Sequence, residues 1–252
     1  MEESKKLNLA IDVIMLAGTI LLQSGAEIHR VEDTMIRIAH SQGINNANVL
    51  AIPAAIFFSI DHTNISRMKR IVNPNHDMQK VCQVNQVSRS LVGGQIELEQ
   101  ALNELTLIRK QPLPYTKYQV IAAAVIAAPF FTVMFGGNSL DALVTALATL
   151  FAFPFALWIE KLIGIELVSA FAGALVFSTI SYTINKYFPF QINPNMVNAG
   201  AVMPFVPGIA FTNAVRDLMT NHINTGMTKI FQTLLSILSL GAGTAVALLI
   251  VG

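Results

Sequence analysis

The fold of this chain is decided by residues 120–159, which read VIAAAVIAAPFFTVMFGGNSLDALVTALATLFAFPFALWI. They form two long apolar runs, and only a short break of glycine and polar residues at 136–138 separates the runs. A helix of about 17–25 mostly apolar residues is long enough to cross the hydrocarbon core of a bilayer. The stretch therefore predicts two transmembrane helices joined by a tight connection.

Comparable apolar runs continue towards the C-terminus, and the sequence predicts five spans at about 120–135, 140–159, 164–184, 196–215 and 230–251. Short polar or Gly/Pro segments separate them. Five apolar helices in succession would leave a soluble protein with almost no polar surface. We therefore interpret residues 116–252 as a five-helix transmembrane domain, and the chain as an α-helical polytopic membrane protein.

The charged residues are concentrated ahead of this domain. Only 12% of the 252 residues are charged, and 12 of the 16 basic and 11 of the 15 acidic residues precede Tyr118. The net charge of +1 gives no basic surplus for binding nucleic acid. The single cysteine, Cys82, excludes an internal disulfide framework, and the five histidines lack metal-ligand spacing. Nucleotide-binding motifs are also missing, so the sequence predicts no cofactor and no metal site.

Residues 1–115 are of ordinary polarity and predict a cytoplasmic α+β domain. The apolar stretch 7–22 contains Asp12 and lacks a cleavage site, so it indicates a buried helix, capped by Gly25, rather than a signal peptide. Periodicity and β-branched content predict the remaining elements: a helix at 27–41, two or three strands within 48–60 and 64–71, and helices at 77–92 and 95–109.

Basic residues that flank the spans predict the orientation, because positive residues are enriched in cytoplasmic loops. Lys186 falls on one side of the predicted bundle. The others fall on the opposite side: Arg109, Lys110, Lys117, Lys161, Arg216 and Lys229. We expect a multi-pass protein of the plasma membrane, with its N-terminus in the cytoplasm and its C-terminus outside.

A first charged motif, SGAEIHRVEDTMIR, occupies residues 24–37. On a helix, Arg30, Asp33 and Arg37 would form one charged stripe. Glu27 would lie near the helix N-terminus, where the macrodipole favours a carboxylate. A solvated face with stabilising ion pairs accounts for this spacing. The alternative is a gate at the cytoplasmic entrance whose charged residues exchange partners: Glu27, Arg30, Glu32, Asp33 and Arg37.

A second motif, MPFVPGIAFTNAVRD at 203–217, lies inside the predicted fourth span. Pro204 and Pro207 lack a backbone donor, and Gly208 follows them, so the helix is loosened near its middle. Interrupted helices of this kind expose backbone groups to the substrate in many transporters. The motif therefore predicts a polar site at a break in the fourth span.

Polar residues follow this break at helical spacing. Asn213, Arg216 and Asp217 are spaced i, i+3 and i+4 and share one helix face, and Thr212 is one turn before Arg216. Two interpretations remain open. Either these groups face a cavity or a partner, or Arg216 and Asp217 mark the cytoplasmic end of the span, where charges are tolerated.

Together the two motifs resemble the threonine/serine exporter family in its YjjP-like form. The resemblance rests on residues 24–27 running into 30–34, and on Pro207-Gly208 running into 212–218. It implies a secondary exporter of small hydrophilic metabolites, mainly threonine and serine, that is driven by the proton gradient. It also implies a separate small five-span membrane subunit as partner. Some split members are linked to succinate export, which is the alternative substrate.

Within this resemblance, the second motif would hold the substrate. Thr212 and Asn213 would form hydrogen bonds with the ammonium and hydroxyl groups of a zwitterion, and Arg216 would bind its carboxylate. Asp217 would carry the coupling proton, because small movements beside an arginine can change its protonation. His222 stands where the family usually has an acidic residue, which leaves a coupling role for that position open.

Two other classes of function are not excluded by the sequence. The N-terminal domain would be a membrane-anchored hydrolase if Glu27, Glu32, Asp33 and His29 served as acid and base groups, but a nucleophile or metal is not visible. The chain would instead be a regulatory subunit if it never touched substrate. Homo-oligomerisation is also left open.

Overall fold

The computed structural model describes residues 2–72, 75–188 and 191–252; for residues 2 and 3 it describes the backbone only. The chain divides into two compact units. The first unit comprises Met1–Pro114 and Asn213–Met227, and the second comprises Tyr115–Thr212 and Thr228–Gly252.

The first unit contains four helices and three strands before its boundary at Pro114. In chain order they are α1 Glu2–Gln23, α2 Ile28–Ser41, β1 Ala47–Ile52, β2 Ala55–Ile60, β3 Ser66–Arg70, α3 Met78–Val92 and α4 Leu98–Lys110. The core lies between the apolar faces of the helices, with Ile14, Val31 and Met35 fully buried, and Phe58 of β2 joins it. Burial of these side chains is the main stabilising contribution to the unit.

The sheet of the first unit is small. Its strands are antiparallel in the order β1-β2-β3, with Leu50 opposite Phe57 and Phe57 opposite Met68. All five residues of β3 are exposed. The expectation of an α+β domain is therefore not supported, because the helices supply most of the core and the strands form only this sheet. The β-branched segments predicted strands at the right places but overstated their share of the fold.

The second unit is built from long apolar helices. Its elements are α5 Lys117–Met134, α6 Ser139–Ile163, α7 Glu166–Tyr187, α8 Pro194–Val202, a 3-10 turn Met203–Phe205, the start of α9 Gly208–Met219, and most of α10 Ile223–Val251. Four of the predicted spans correspond to the continuous helices α5, α6, α7 and α10. Small residues of α6 and α7, among them Ala148, Ala152 and Ala174, form much of the core of this unit together with Phe177 and Leu240.

Residues 196–215, the predicted fourth span, are divided between α8, the 3-10 turn and α9 and do not form one continuous helix. The helices α8 and α9 contain 9 and 12 residues. At 1.5 Å per residue these are roughly 14 and 18 Å long, short of the roughly 30 Å hydrocarbon core. The interruption itself was predicted, since Pro204 and Pro207 cannot donate the backbone hydrogen bonds that would join the two helices.

Five helices in the described part of the chain are long and apolar enough to cross a membrane, and the first of them is Ser4–Gln23 of α1. Of this α1 window, 56% is buried inside the structure, compared with 17–44% for the other four. That burial fits the sequence interpretation of α1 as a core helix. Hydropathy does not separate the two roles, because both need an apolar helix of this length.

We expect Gly200→Ala to destabilise the second unit. A Cβ atom at Gly200 would lie 2.8 Å from the Thr132 backbone nitrogen and 2.9 Å from the Ala128 carbonyl oxygen, so α8 and α5 would have to separate. Overpacking of this kind typically costs about 2 kcal/mol. The measurement is the melting temperature of the purified protein in detergent. The control is Gly241→Ala, since a Cβ there meets no described atom within 4 Å; equal melting temperatures for the two variants would contradict the prediction.

Candidate functional site

The candidate site begins at the turn between α1 and α2. Gly25 has a positive φ of 82° and ends α1, which confirms it as the predicted cap. Glu27 then occupies the N-cap position of α2, but within the described chain its side chain does not cap its own helix. The Arg30 N–H donates to the Glu27 carbonyl at 3.1 Å, whereas the Ile28 N–H, at the first position of α2, takes its partner from another segment.

The segment Asn213–Met227, which belongs to the same unit, supplies that partner and makes two further contacts just before α2. The Ile28 backbone N–H donates to Asp217 Oδ1 at 3.3 Å, and the Asn213 side-chain amide donates to the Gly25 carbonyl at 3.1 Å. The Arg216 guanidinium donates to the Glu27 carboxylate. The shared face that the i, i+3, i+4 spacing predicts thus contacts the N-terminus of α2.

Burial differs sharply among these groups. Asp217 is completely buried, whereas the side chains of Glu27 and Arg216 are 11% and 57% exposed. A buried carboxylate at a helix N-terminus is stabilised by the N–H groups and by the positive end of the helix dipole. Arg216 remains partly exposed to solvent. Its guanidinium is a carboxylate-binding group, and in this structure the Glu27 carboxylate already occupies it.

A second link joins the same segment to α2 and the sheet. His222 Nε2 lies 3.0 Å from Glu32 Oε2, and Glu32 Oε1 accepts the Ala51 backbone N–H of β1 at 2.8 Å. The other ring nitrogen of His222 is 3.3 Å from the Thr220 hydroxyl. From the sequence, His222 stood out only because the family usually has an acidic residue at that position. No sequence pattern indicated Glu32 as its partner, because 190 positions separate the two residues.

His29 is a further member of the site, and its sequence context indicated it only as an acid or base in the hydrolase alternative. Its Nε2 lies 3.5 Å from Glu27 Oε2, and its ring centroid is 6.5 Å from that of His222. Its Nδ1 is buried and has no hydrogen-bond partner among the described residues. Among all the residues that the structure describes, no group of three or more His, Cys, Asp or Glu side chains is placed to hold a metal ion.

The predicted charged motif of α2 is divided. Glu27 and Glu32 contact the Asn213–Met227 segment, whereas Arg30, Asp33 and Arg37 are exposed. Arg37 Nε donates to Asp33 Oδ1 at 2.9 Å, a pair of side chains one helical turn apart. Pairs of this kind on a solvated face contribute only a few tenths of a kcal/mol.

The other predicted site residues belong to the second unit. The Thr212 hydroxyl donates to the Gly208 carbonyl at 2.9 Å, one turn earlier in α9, and both residues are exposed. Pro207, just before them, is partly buried. The described contacts therefore bring together Asn213, Arg216 and Asp217, but not Pro207, Gly208 and Thr212, with the start of α2.

The long apolar helices define a multi-pass membrane protein. The chain belongs to the threonine/serine exporter family, since the family model described as "Putative threonine/serine exporter" (ThrE) matches residues 12–251. A protein of Escherichia coli (strain K12) named "Probable succinate transporter subunit YjjP" is 26% identical over 248 residues, which cover 93% of this chain and 92% of that protein. A protein of the same name from Klebsiella aerogenes is 24% identical over 215 residues, covering 83% and 81%. No solved structure matches the chain.

Proposed function

We propose that this chain is a subunit of a proton-coupled secondary exporter that moves small carboxylate-bearing metabolites out of the cytoplasm. The observation that carries this proposal is the half-exposed Arg216 guanidinium, which is held by the Glu27 carboxylate. Membership in an exporter family supports the transport class. The candidate substrates are threonine and serine, with succinate as the alternative.

The carboxylate is the chemical group that these candidates share. An arginine binds a carboxylate through two parallel N–H donors, with more geometric specificity than a lysine provides. In the described conformation Glu27 occupies that position, as an internal substitute for a substrate carboxylate. We propose that substrate displaces Glu27 from Arg216, and that Asn213 leaves the Gly25 carbonyl to contact the rest of the substrate. Thr212 would contribute a further hydroxyl.

Asp217 is the proposed carrier of the coupling proton. As a carboxylate it holds the N-terminus of α2 through Ile28, and protonation would remove the charge that the helix dipole favours. Gain and loss of one proton would thus weaken and restore the contact between α2 and the Asn213–Met227 segment. We propose that, when this contact weakens, Glu27 leaves Arg216 and Glu32 leaves His222, so that these two carboxylates act as gating residues.

The proposed arrangement in the cell follows the distribution of basic residues. The first unit, residues 1–114 and 213–227, would lie in the cytoplasm, the long apolar helices of the second unit in the plasma membrane, and the C-terminus outside. A small five-span membrane protein of the same family is the proposed partner, because the curated relatives are named as subunits. Antiport of the metabolite against protons completes the proposal.

Efflux from preloaded cells tests this function. Cells that express this chain, the five-span partner, both or neither are loaded with labelled threonine, serine or succinate, and release is followed over time. We expect one of these substrates to leave faster only when both chains are present, and we expect a protonophore to stop it. Equal efflux in all four strains, with a stable complex formed, would overturn the exporter proposal and favour a regulatory subunit.

A further inference from the structure

The second unit contains a line of buried polar residues that the candidate site does not include. Asp141, Thr145 and Thr149 are spaced four residues apart along α6, so they share one helix face, and none is more than 1% exposed. Asn198 of α8 is 8% exposed. We call these four residues the polar track. Buried polar groups in apolar helices are unfavourable unless they are hydrogen-bonded, so each member requires a partner.

Two residues of the polar track, Asp141 and Thr145, have hydrogen-bond partners. Asp141 accepts the backbone N–H groups of Asn138 at 2.9 Å and Asn193 at 2.7 Å. The Thr145 hydroxyl lies 2.7 Å from that of Thr132 and donates to the Asp141 carbonyl at 2.8 Å. These bonds hold the connection before α8 and the start of α6 together. Their role is structural, because the described partners occupy the side-chain oxygens.

The other two residues of the polar track, Thr149 and Asn198, lack such partners among the described residues. Among residues 2–72, 75–188 and 191–252, neither the nitrogen nor the oxygen of the Asn198 side chain forms a hydrogen bond, and the Thr149 hydroxyl does not either. These three atoms are buried as well. A side-chain amide can donate two hydrogen bonds and accept two, so Asn198 leaves its whole capacity unused. Native proteins rarely bury such groups without a partner that binds them.

Both residues lie close to an established contact between α6 and α8. Thr145 is 3.5 Å from the Val197 carbonyl, with Asn198 the next residue along α8 and Thr149 one turn further along α6. Thr149 is the eleventh of the 25 residues of α6, about 15 Å from the helix start. Thr149 is thus near the middle of the spanning helix α6, and Asn198 lies in α8, the short helix that ends just before the proline break.

We infer that Asn198 and Thr149 form a substrate contact inside the second unit, where they hydrogen-bond the carboxylate of a small polar metabolite during export. The amide N–H groups and the hydroxyl would donate to the carboxylate oxygens, and the amide oxygen would accept from a substrate hydroxyl or ammonium group. Discontinuous helices provide substrate contacts of this kind near the bilayer midplane. This inference rests on the proposed exporter function.

The test uses Asn198→Leu and Thr149→Val in the full chain, together with its membrane partner. Both substitutions keep approximate size and remove the polar atoms. We expect each to raise the KM for transport about tenfold, and to leave the melting temperature unchanged or higher, since an unsatisfied buried group is removed. In wild type, millimolar succinate, threonine or serine should raise the melting temperature, and this shift should shrink in both variants.

The matched control is Asn195→Ala, three residues earlier in α8 and exposed. It should transport with the wild-type KM. Wild-type KM and wild-type ligand-induced shifts in both track variants would overturn the inference while leaving the exporter function intact. A drop in melting temperature that accounts for the loss of transport would also overturn it, in favour of a packing role. Failure of the wild type to move any of the three substrates would remove the proposed function, and the inference with it.

Discussion

Asp217→Asn is expected to reduce substrate efflux at least about tenfold while leaving most of the protein folded. Asparagine keeps an oxygen that can accept the Ile28 N–H at the start of α2, but it cannot exchange a proton. Asp217→Ala removes the acceptor as well, and hydrogen bonds to charged groups contribute about 1.5–3 kcal/mol. We therefore expect Asp217→Ala to lose both transport and melting temperature, whereas Asp217→Asn should lose mainly transport.

Asp33→Asn is the matched control for this pair of variants. Asp33 is exposed and pairs with Arg37 on the solvated face of α2, so its neutral variant should transport at the wild-type rate. Efflux and melting temperature are measured for all three proteins at equal expression. Normal efflux by Asp217→Asn would show that the buried carboxylate serves packing alone, and the coupling role would be withdrawn.

Arg216→Gln is expected to raise the KM for substrate about tenfold or more. The substitution removes the guanidinium that would hold the substrate carboxylate, and it leaves Glu27, only 11% exposed, without its arginine partner. A nearly buried carboxylate that loses its arginine also destabilises the protein, although the exposure of Arg216 reduces this effect. Arg37→Gln, which breaks the exposed pair with Asp33, is the control and should leave KM unchanged. Equal KM values for the two variants would contradict a substrate role for Arg216.

Much of the fold could be predicted because local rules decide it. The length of the apolar runs predicted α5, α6, α7 and α10, and the prolines at 204 and 207 predicted the break between α8 and α9. Helical spacing also placed Asn213, Arg216 and Asp217 on one face. These predictions depend only on residues within a few turns of one another, for which periodicity carries the information.

The rest of the site depends on contacts between distant residues. Glu27 and Arg216 are 189 positions apart, and helical periodicity gives each residue's face but not what that face contacts. The same applies to Glu32 and His222. For α1, composition predicts an apolar helix equally well in a core and in a membrane, so only its burial separates the two. The sequence also could not show that β3 stays outside the core. Its five residues form a strand, but all of them are exposed, and that depends on packing.

The KM of Glu27→Gln most directly tests the claim that an internal carboxylate occupies the substrate position on Arg216. Uptake of labelled succinate, threonine and serine is measured in inside-out membrane vesicles that contain this chain and its partner. If Glu27 competes with substrate, the neutral variant should have a lower KM than wild type, whereas Arg216→Gln should have a higher one. A KM that rises in Glu27→Gln as it does in Arg216→Gln would contradict the account, because Glu27 would then support substrate binding rather than compete with it.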